Sequence, residues 1–375
     1  MSTTLLTRKV IAQRRSKFEE ILQRALAGEE LSVEDGELLL QAKGRKLQAL
    51  VQTADEMRRR KVGDVVTYVK NRNINFTNIC TGSCKFCAFR RSSRDPEAYV
   101  LSLGQIEAKV REALATGATE VCVQGGLHPD FSLENYLEIL RTVRKVSSSI
   151  HIHAFSPSEI SHIAERDGMS LELVIKTLRD NGLNSVPGTA AEILADRVRT
   201  IICPQKITTY QWVKTIKTCH RLGLPTTATM MYGHVETPLE LAQHIDIIRD
   251  IQRETKGFTE FVLLPFVSKN TPLRCEAAVG PAPDTIQGLR AHAVARLMLA
   301  DHINNIQTSW VKLGPAGAQL MLNAGANDLG GTLMEESITR AAGVEQNMMS
   351  SDQLEKLILE AGRIPRQRTT TYELV

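Results

Sequence analysis

The chain alternates between short apolar runs and longer segments whose apolar positions recur with helical spacing. The short runs predict strands such as Glu120–Val123, Thr226–Tyr232 and Phe258–Pro265, and the segments between them predict helices such as Leu133–Val146 and Leu239–Arg253. Strands that alternate with helices form parallel βαβ units. About eight such units predict an α/β fold, a parallel (β/α)8 barrel of the TIM type. An open doubly wound sheet is the alternative, but its glycine-rich dinucleotide turn is absent after the first strand.

The same pattern divides the chain into three parts. Further strands are predicted at Thr67–Phe76, Ile150–Phe155, Asn184–Pro187, Ile306–Lys312 and Ala324–Leu329, and further helices at Ile106–Ala115, Ile160–Arg179, Tyr210–Leu222 and Thr285–His302. Residues 1–66 predict a helical N-terminal extension, which includes a helix at Lys17–Ala27. The barrel occupies residues 67–345, and residues 346–375 hold a last helix and an extended tail.

Composition limits the classes of function. The 375 residues are 42% hydrophobic and 23% charged, with a net charge of +4, as in ordinary globular proteins. No apolar run is long enough for a membrane span. The basic runs, such as Arg8–Lys17, lie in helix-like sequence near acidic residues, so nucleic acid binding is not expected. The first residues weakly resemble a transit peptide, but they lead into an ordinary helix, and seven sparse cysteines fit a reducing cytoplasm.

Three cysteines carry the chemistry. Cys80, Cys84 and Cys87 form a C-x3-C-x2-C motif on one short loop. Three thiolates can bind three irons of a [4Fe-4S] cluster and leave the fourth iron open, whereas electron-transfer clusters and structural zinc sites use four protein ligands. The next cysteine, Cys122, lies within a predicted strand. The motif therefore predicts an iron–sulfur site; a non-catalytic iron–sulfur or zinc protein is the competing interpretation.

Other candidate site residues follow the predicted strands, where barrels of this type place their active sites. Gly125 and Gly126 allow close approach of a ligand to the backbone, although such a pair also suits a tight turn. His151 and His153 share one face of a strand, which points either into the barrel or against the helices. Glu192 follows Thr189 at capping-box spacing, so it either begins a helix or contacts a ligand.

Two more strand ends carry polar residues. Tyr232 and His234 close the strand at Thr226–Tyr232, and Asp328 lies in a segment that combines a carboxylate, an amide and glycines. That combination suits a polyhydroxylated or heterocyclic ligand, and a simple turn is the alternative.

Several segments together resemble one known family. The carrying segments are Asn71–Cys80, the cysteine loop with Phe86 and Ala88-Phe89, Gln124–Pro129, His153–Pro157, Pro187–Glu192, Met231–His234, Gly257–Phe261, Ser309–Lys312 and Ala326–Glu336. In this order they resemble radical S-adenosylmethionine (SAM) enzymes, in particular the second-subunit family of FO synthase. The futalosine-pathway enzymes of menaquinone synthesis are a sibling alternative, which the segments at Gly257–Phe261 and Ser309–Lys312 disfavour.

The resemblance implies a reaction and its cofactors. A reduced [4Fe-4S] cluster cleaves SAM to methionine and a 5′-deoxyadenosyl radical, which abstracts hydrogen from the amino group of L-tyrosine. The Cα–Cβ bond breaks, the 4-hydroxybenzyl group adds to 5-amino-6-(D-ribitylamino)uracil, and 2-iminoacetate leaves. Implied partners are the first FO synthase subunit, itself a radical SAM protein, and a reductase, flavodoxin or ferredoxin.

The resemblance also implies residue roles. Phe86 would pack near the adenine of SAM, Gly125 and Gly126 would receive its amino group, and Glu192 would contact its ribose; Tyr232 is a further candidate for cofactor binding. Candidate bases for the tyrosine amine are His153, His234 and Asp328, all near predicted strand ends.

Overall fold

A computed structural model describes residues 16–275, 283–344 and 348–375 of the chain. Residues 1–15, which include most of the basic run and of the transit-like segment, lie outside the described residues. So do residues 276–282 and 345 of the predicted barrel and residues 346 and 347 of the predicted C-terminal part. Within the described ranges, no helix has the length and apolar character needed to cross a membrane.

The described elements are fifteen helices and nine strands. The helices are α1 Lys17–Leu26, α2 Val33–Leu40, α3 Arg45–Val62, α4 Leu103–Ala115, α5 Leu133–Val146, α6 Pro157–Arg166, α7 Leu171–Asp180, α8 Asp196–Ile202, α9 Thr209–Arg221, α10 Pro238–Thr255, α11 Pro272–Cys275, α12 Thr285–Leu299, α13 Trp310–Leu322, α14 Ser337–Ala341 and α15 Ser351–Glu360. The strands are β1 Val65–Val69, β2 Asn71–Asn75, β3 Glu120–Gln124, β4 His151–Ala154, β5 Thr226–Tyr232, β6 Phe258–Pro265, β7 Ile306–Thr308, β8 Asp328–Gly331 and β9 Ile364–Gln367.

The strands are parallel and form two sheets. One has the order β5-β6-β7-β8-β1-β9 and the other β2-β3-β4. The chain passes directly from β1 into β2, and isolated bridges from His153 to Ser185 and from Val186 to Thr226 connect β4 to β5. The parallel α/β architecture predicted from the sequence is confirmed.

Each strand directs alternate side chains to opposite faces, which separates core from lumen. On β5, Ala228, Met230 and Tyr232 pack in the core beneath the helices. The intervening Thr227 and Thr229 bind the backbone of Gly188, at 2.8 and 2.9 Å. Met231 on the same face lines a cavity at the carboxyl ends of the strands.

The N-terminal helices share a core with the barrel helices. Residues from α1, α2 and α3 belong to the same apolar cluster as residues from α10 and α12. Two arginines reinforce this contact, because Arg249 donates to the Leu31 carbonyl at 2.7 Å and Arg290 donates to the Ala42 carbonyl at 2.6 Å.

The C-terminal segment enters the barrel at the amino ends of the strands. β9 pairs with β1, and beyond it Arg368 donates to Asp328 of β8 at 2.6 Å and lies 3.3 Å from Glu260 of β6. Thr370 donates to Glu120, the first residue of β3, at 2.6 Å. Because these partners come from three separate strands, the segment forms a floor to the lumen.

Several predicted elements need correction. The strand predicted over Thr67–Phe76 is two strands, since β1 pairs in one sheet and β2 in the other. The helix predicted over Ile160–Arg179 is two helices separated by a turn at Gly168, whose φ is 63°. The strand predicted over Ile306–Lys312 ends at Thr308, because Ser309 accepts from the backbone of Lys312 and begins a helical turn.

Two further corrections concern the residues at which a predicted strand and a predicted helix begin. The strand predicted over Ala324–Leu329 lies later, at β8. No helix begins at Glu192, which excludes the capping-box interpretation; Ala190 and Glu192 both have positive φ, and α8 begins only at Asp196. The segment predicted as an extended tail includes the strand β9.

Removing Arg368 should lower the free energy of unfolding, because two buried carboxylates lose their cation. Arg368→Ala leaves Asp328 and Glu260 buried without their shared cation, which typically costs about 3–5 kcal/mol. The free energy of unfolding from urea titration should fall by that order. Arg366→Ala, at an exposed position of β9 two residues before Arg368, is the matched control and should change stability by less than about 0.5 kcal/mol. Equal losses of stability in both variants would contradict a stabilising role for the ion pairs of Arg368 with Asp328 and Glu260.

Candidate active site

The cysteine loop follows β2 and is held by backbone hydrogen bonds. The Cys80 N–H donates to the Arg91 carbonyl at 3.1 Å, and the Thr81 N–H donates to the Leu127 carbonyl at 2.9 Å. Cys80, Cys84 and Cys87 are free, partly buried thiols that line one cavity. Burial raises the pKa of the Cys84 thiol to about 12, with nearby Lys206 opposing that shift. Metal binding at Cys84 must therefore displace a firmly held proton.

Glycines allow the loop to pack tightly. A Cβ on Gly126 would lie 2.2 Å from the Ile79 carbonyl oxygen and 2.8 Å from the Cys80 Cβ. A Cβ on Gly125 would lie 2.6 Å from the Phe76 ring. A Cβ on Gly82 would stand 3.4 Å from the Cys80 Sγ. The end of β3 and the cysteine loop are therefore in backbone contact, as expected for a preformed site.

The cavity lies at the carboxyl ends of the strands and has a volume of about 270 Å3. The three thiols and Phe86 form one wall, and Gly125, Gly126, Ser158, Glu159, Thr189 and Glu192 continue it. An apolar wall comes from the end of β6 and the two residues after it, and from α14 and the residue after it. Its side chains are Leu264, Phe266, Val267, Ile338 and Ala342. Lys206 and Lys312 also reach this space.

An ion pair supports the aromatic residue of the loop. Lys206 pairs with the Glu192 carboxylate, and its Nζ lies 5.2 Å from the centroid of the Phe86 ring, within range of a cation–π contact. Burial opposes ionisation of Glu192, but adjacent Lys206 outweighs it and lowers the pKa of that carboxyl. The cavity thus presents a fixed carboxylate beside an aromatic face.

Glu159 is the second carboxyl group of the cavity. It caps α6 by accepting from the Ser156 N–H at 2.7 Å, and it accepts from the Gly125 N–H at 3.0 Å. Burial raises its pKa to about 7, against the lowering effect of these hydrogen bonds. The hydroxyl groups of Ser158 and Thr189 are buried and have no hydrogen-bond partner among the described residues. Buried polar groups are normally satisfied, so these hydroxyls are suited to a bound ligand.

Four of the predicted non-cysteine residues line this cavity, and four do not. Phe86, Gly125, Gly126 and Glu192 line it together with the three cysteines. His153 instead faces the lumen below, where its Nδ1 lies 2.6 Å from the Ser185 hydroxyl, which also contacts His151. Burial lowers the pKa of His153 to about 4, so the ring is neutral at pH 7.

Thr189, which was not predicted as a site residue, also lines the cavity, and its carbonyl accepts from the Trp212 indole N–H at 3.1 Å. Asp328 is fully buried at the lumen floor, where Arg368 and the Thr67 hydroxyl occupy its carboxylate. Asp328 therefore pairs with Arg368 at the floor and does not line the cavity.

His234 and Tyr232 lie behind the cavity wall. The His234 Nε2 lies 3.0 Å from the Met231 carbonyl, and its Nδ1 lies 3.0 Å from Glu236. Burial lowers the pKa of His234. Tyr232 points away from the cavity towards α12, because Met231 takes the inward position on β5.

Three titratable residues of the cavity, Glu159, Lys206 and Lys312, are not among the site residues predicted from the sequence. Glu159 belongs to the capping box that begins α6, and the same carboxyl group also accepts from the Gly125 N–H. Lys206 and Lys312 are single lysines that follow helical or strand segments. A lysine at such a position usually lies on the surface, so only the fold reveals that both reach the cavity.

The residues present fit an iron–sulfur cluster and SAM. Three thiols on one loop open into the cavity, and two orphaned hydroxyls and a fixed carboxylate line the adjoining space. Among the described residues, no three His, Cys, Asp or Glu side chains converge as ligands of a single ion would. In a cluster, each thiolate binds a different iron, so a wider arrangement is compatible with one.

Comparison with known proteins defines the family. The chain is 50% identical over 330 residues to the 5-amino-6-(D-ribitylamino)uracil–L-tyrosine 4-hydroxyphenyl transferase 1 of Methanococcus maripaludis, covering 87% of this chain and 92% of the relative. The transferase of Archaeoglobus fulgidus is 52% identical over 86% of this chain and 92% of its own length, and that of Methanococcoides burtonii is 49% identical over 95% and 99%. The chain belongs to this family of radical SAM transferases.

Family models agree with this membership, and two solved structures share the fold. Residues 74–248 match the radical SAM superfamily, and residues 255–375 match the CofH/MqnC C-terminal region. Methylornithine synthase superposes with a TM-score of 0.69 at 18% identity, covering 92% of this chain and 97% of that one. HydG, a maturase of the [FeFe]-hydrogenase, superposes with a TM-score of 0.74 at 13% identity, covering 95% and 77%. These two likenesses establish the fold. This chain is accordingly an enzyme of the radical SAM superfamily, whose members use a [4Fe-4S] cluster and SAM.

Substitution of Gly126 should disturb the cluster. In Gly126→Ala, the new methyl group meets backbone and the Cys80 Cβ, so the loop must shift. We expect iron and sulfide per chain after anaerobic reconstitution to fall by at least half. Gly104→Ala is the control, because its Cβ would meet only the Ser102 hydroxyl, at 4.0 Å. Full iron content in Gly126→Ala would show that the contact is not required.

The raised pKa of Glu159 predicts a pH dependence of stability. The folded state holds this proton up to about pH 7, whereas the unfolded state releases it near 4.5. Since the folded state binds more protons between these values, stability falls as pH rises through this window and then levels off. The stability difference between the natural protein and Glu159→Gln, from urea titrations at pH 5 and 8, should shift against the natural protein by on the order of 3 kcal/mol. A pH-independent difference would contradict the shift.

Proposed function

We propose that this enzyme transfers the 4-hydroxybenzyl group of L-tyrosine to 5-amino-6-(D-ribitylamino)uracil in deazaflavin synthesis. The observation that carries the proposal is the opening of three loop thiols into one partly apolar cavity at the carboxyl ends of the strands. The relatives, at about half identity over nearly their whole length, carry this reaction in their names.

The cavity residues have distinct tasks in this proposal. Cys80, Cys84 and Cys87 hold the cluster, and Phe86 with Glu192 receives SAM, whose adenine would stack on the ring that Lys206 supports. When bound, the cluster and SAM supply a hydrogen-abstracting radical. The chain's contribution is to enclose that chemistry, because a carbon radical would otherwise react with solvent and exposed side chains.

The apolar wall serves the aromatic substrate. Leu264, Phe266 and Ile338 form a surface suited to a phenol ring, which must lie within contact distance of the radical source. Enclosure by these side chains also favours the uncharged form of the tyrosine amine, since burial disfavours an ammonium group without a partner.

Glu159 is the residue that we propose as the proton acceptor for that amine. It lines the cavity, and burial raises its pKa to about 7, near the pH at which a general base is most effective. His153, His234 and Asp328, the bases expected from the sequence, have less support because none of them lines the cavity.

The proposed function also requires other proteins. Ring closure to the finished deazaflavin would fall to the first FO synthase subunit, and a flavodoxin, ferredoxin or reductase would supply the electron. A reducing cytoplasm suits the cluster and the six cysteines whose free thiols the structure describes.

An anaerobic assay tests the function. The reconstituted enzyme is incubated with dithionite, SAM, L-tyrosine and the aminouracil, and the products are analysed by mass spectrometry. We expect a hydroxybenzyl–uracil adduct together with 5′-deoxyadenosine, both lost in Cys84→Ala. Cys219→Ala, which removes a buried thiol of α9 outside the loop, is the control and should retain both products.

Three outcomes discriminate between the alternatives. Adduct formation supports the transferase. Deoxyadenosine without the adduct would redirect the enzyme to the futalosine pathway. A full cluster that yields no deoxyadenosine would contradict radical chemistry altogether.

A further inference from the structure

Two lysines reach the cavity, and only one has a counter-ion within the described ranges. Lys206 pairs with Glu192. The Nζ of Lys312 has no carboxylate oxygen within 4.0 Å and no hydrogen-bond acceptor among the residues at 16–275, 283–344 and 348–375. Burial lowers the pKa of Lys312, and the more distant charges of Glu336, Glu192 and Cys87 only partly oppose that effect. A half-buried ammonium group without a partner is suited to an anionic ligand.

The backbone holds Lys312 firmly at this position. β7 ends at Thr308, and the Ser309 carbonyl accepts from the N–H groups of Lys312 and Leu313, at 3.2 and 3.0 Å. Trp310 anchors the same turn, because its buried indole donates to the Gly331 carbonyl at 3.0 Å. Gly314, with a φ of 72°, then separates this turn from the rest of α13. The lysine is therefore presented on a short, fixed turn.

The surroundings of Lys312 indicate which anion it binds. β7 pairs with β6, whose end supplies Leu264, Phe266 and Val267 to the apolar wall of the cavity. A cation beside an apolar wall matches an aromatic amino acid, whose carboxylate and ring need these two features together. The polar wall at Glu192, Ser158 and Thr189 suits the sugar and base of a nucleoside instead.

We propose that Lys312 binds the α-carboxylate of the aromatic amino-acid substrate and so positions it in the cavity. This inference rests on the proposed function, in which that substrate is L-tyrosine. SAM is also an α-amino acid and carries the same carboxylate, so the experiment must separate the two sources.

Equilibrium dialysis measures binding without turnover. The holoenzyme is kept oxidised, so that SAM is not cleaved, and its affinities for labelled L-tyrosine, L-tyrosinamide and SAM are determined. The variants are Lys312→Met, which keeps length and removes charge, and Lys312→Arg, which keeps charge. Lys214→Met, at an exposed position of α9, is the control. Iron content and circular dichroism establish that each variant is folded and loaded.

We expect Lys312→Met to bind L-tyrosine on the order of 10- to 100-fold more weakly, as for loss of a charge-assisted hydrogen bond, and Lys312→Arg to restore most of the affinity. SAM affinity should stay within twofold in all variants. The natural enzyme should itself prefer L-tyrosine over L-tyrosinamide by at least tenfold, and Lys312→Met should lose that preference.

Two results would overturn the inference. One is L-tyrosine affinity in Lys312→Met within twofold of the natural enzyme. The other is a loss of SAM affinity with L-tyrosine binding unchanged, which would assign the lysine to the cofactor. The proposed function fails separately, when the natural enzyme forms no adduct despite binding L-tyrosine through Lys312.

Discussion

The barrel depends on the ion pairs that the buried guanidinium of Arg368 forms at the floor of the lumen. The guanidinium lies between Asp328 and Glu260, which come from strands that are two positions apart in the sheet. Buried carboxylates are costly unless a cation and hydrogen bonds compensate them. Thr370 and Tyr372 extend the same segment to Glu120 and again to Glu260, so one stretch of chain satisfies carboxylates from three strands.

This floor leaves the carboxyl ends of the strands free for chemistry. Above it, the lumen holds neutral, hydrogen-bonded groups such as His153 and Ser185, and above those lies the cavity with its thiols. The buried charges of the floor are all paired, whereas the cavity also holds three polar side chains, Ser158, Thr189 and Lys312, that have no partner among the described residues. Stability and ligand binding are thus assigned to opposite ends of the same strands.

The sequence predicted features that depend on local spacing. The alternation of strands and helices, the cysteine loop and the glycine pair could all be predicted from neighbouring residues, and Glu192, a candidate for ligand contact, lies at the cavity. Placement of single side chains was harder, because a shift of one residue on a strand exchanges the lumen for the core. Tyr232 and Met231 illustrate this, since the neighbour of the predicted residue is the one that lines the cavity.

Long-range partners were also beyond local patterns. Asp328 resembled a ligand-binding carboxylate because an amide and glycines lie beside it in the sequence; the cation that pairs with it, Arg368, follows 40 residues later. Lys312 was placed within a strand, and only the turn at Ser309 brings it to the cavity.

The late position of Arg368 has a consequence for biosynthesis of the protein. Translation delivers Cys80, Asp328 and Glu260 before the residue that neutralises the last two. A nascent chain on the ribosome therefore carries its cluster loop while the lumen carboxylates are still hydrated and the strands that bear them are not yet locked. The strands can therefore be fixed around any cluster inserted earlier only after the segment that carries Arg368 has been synthesised.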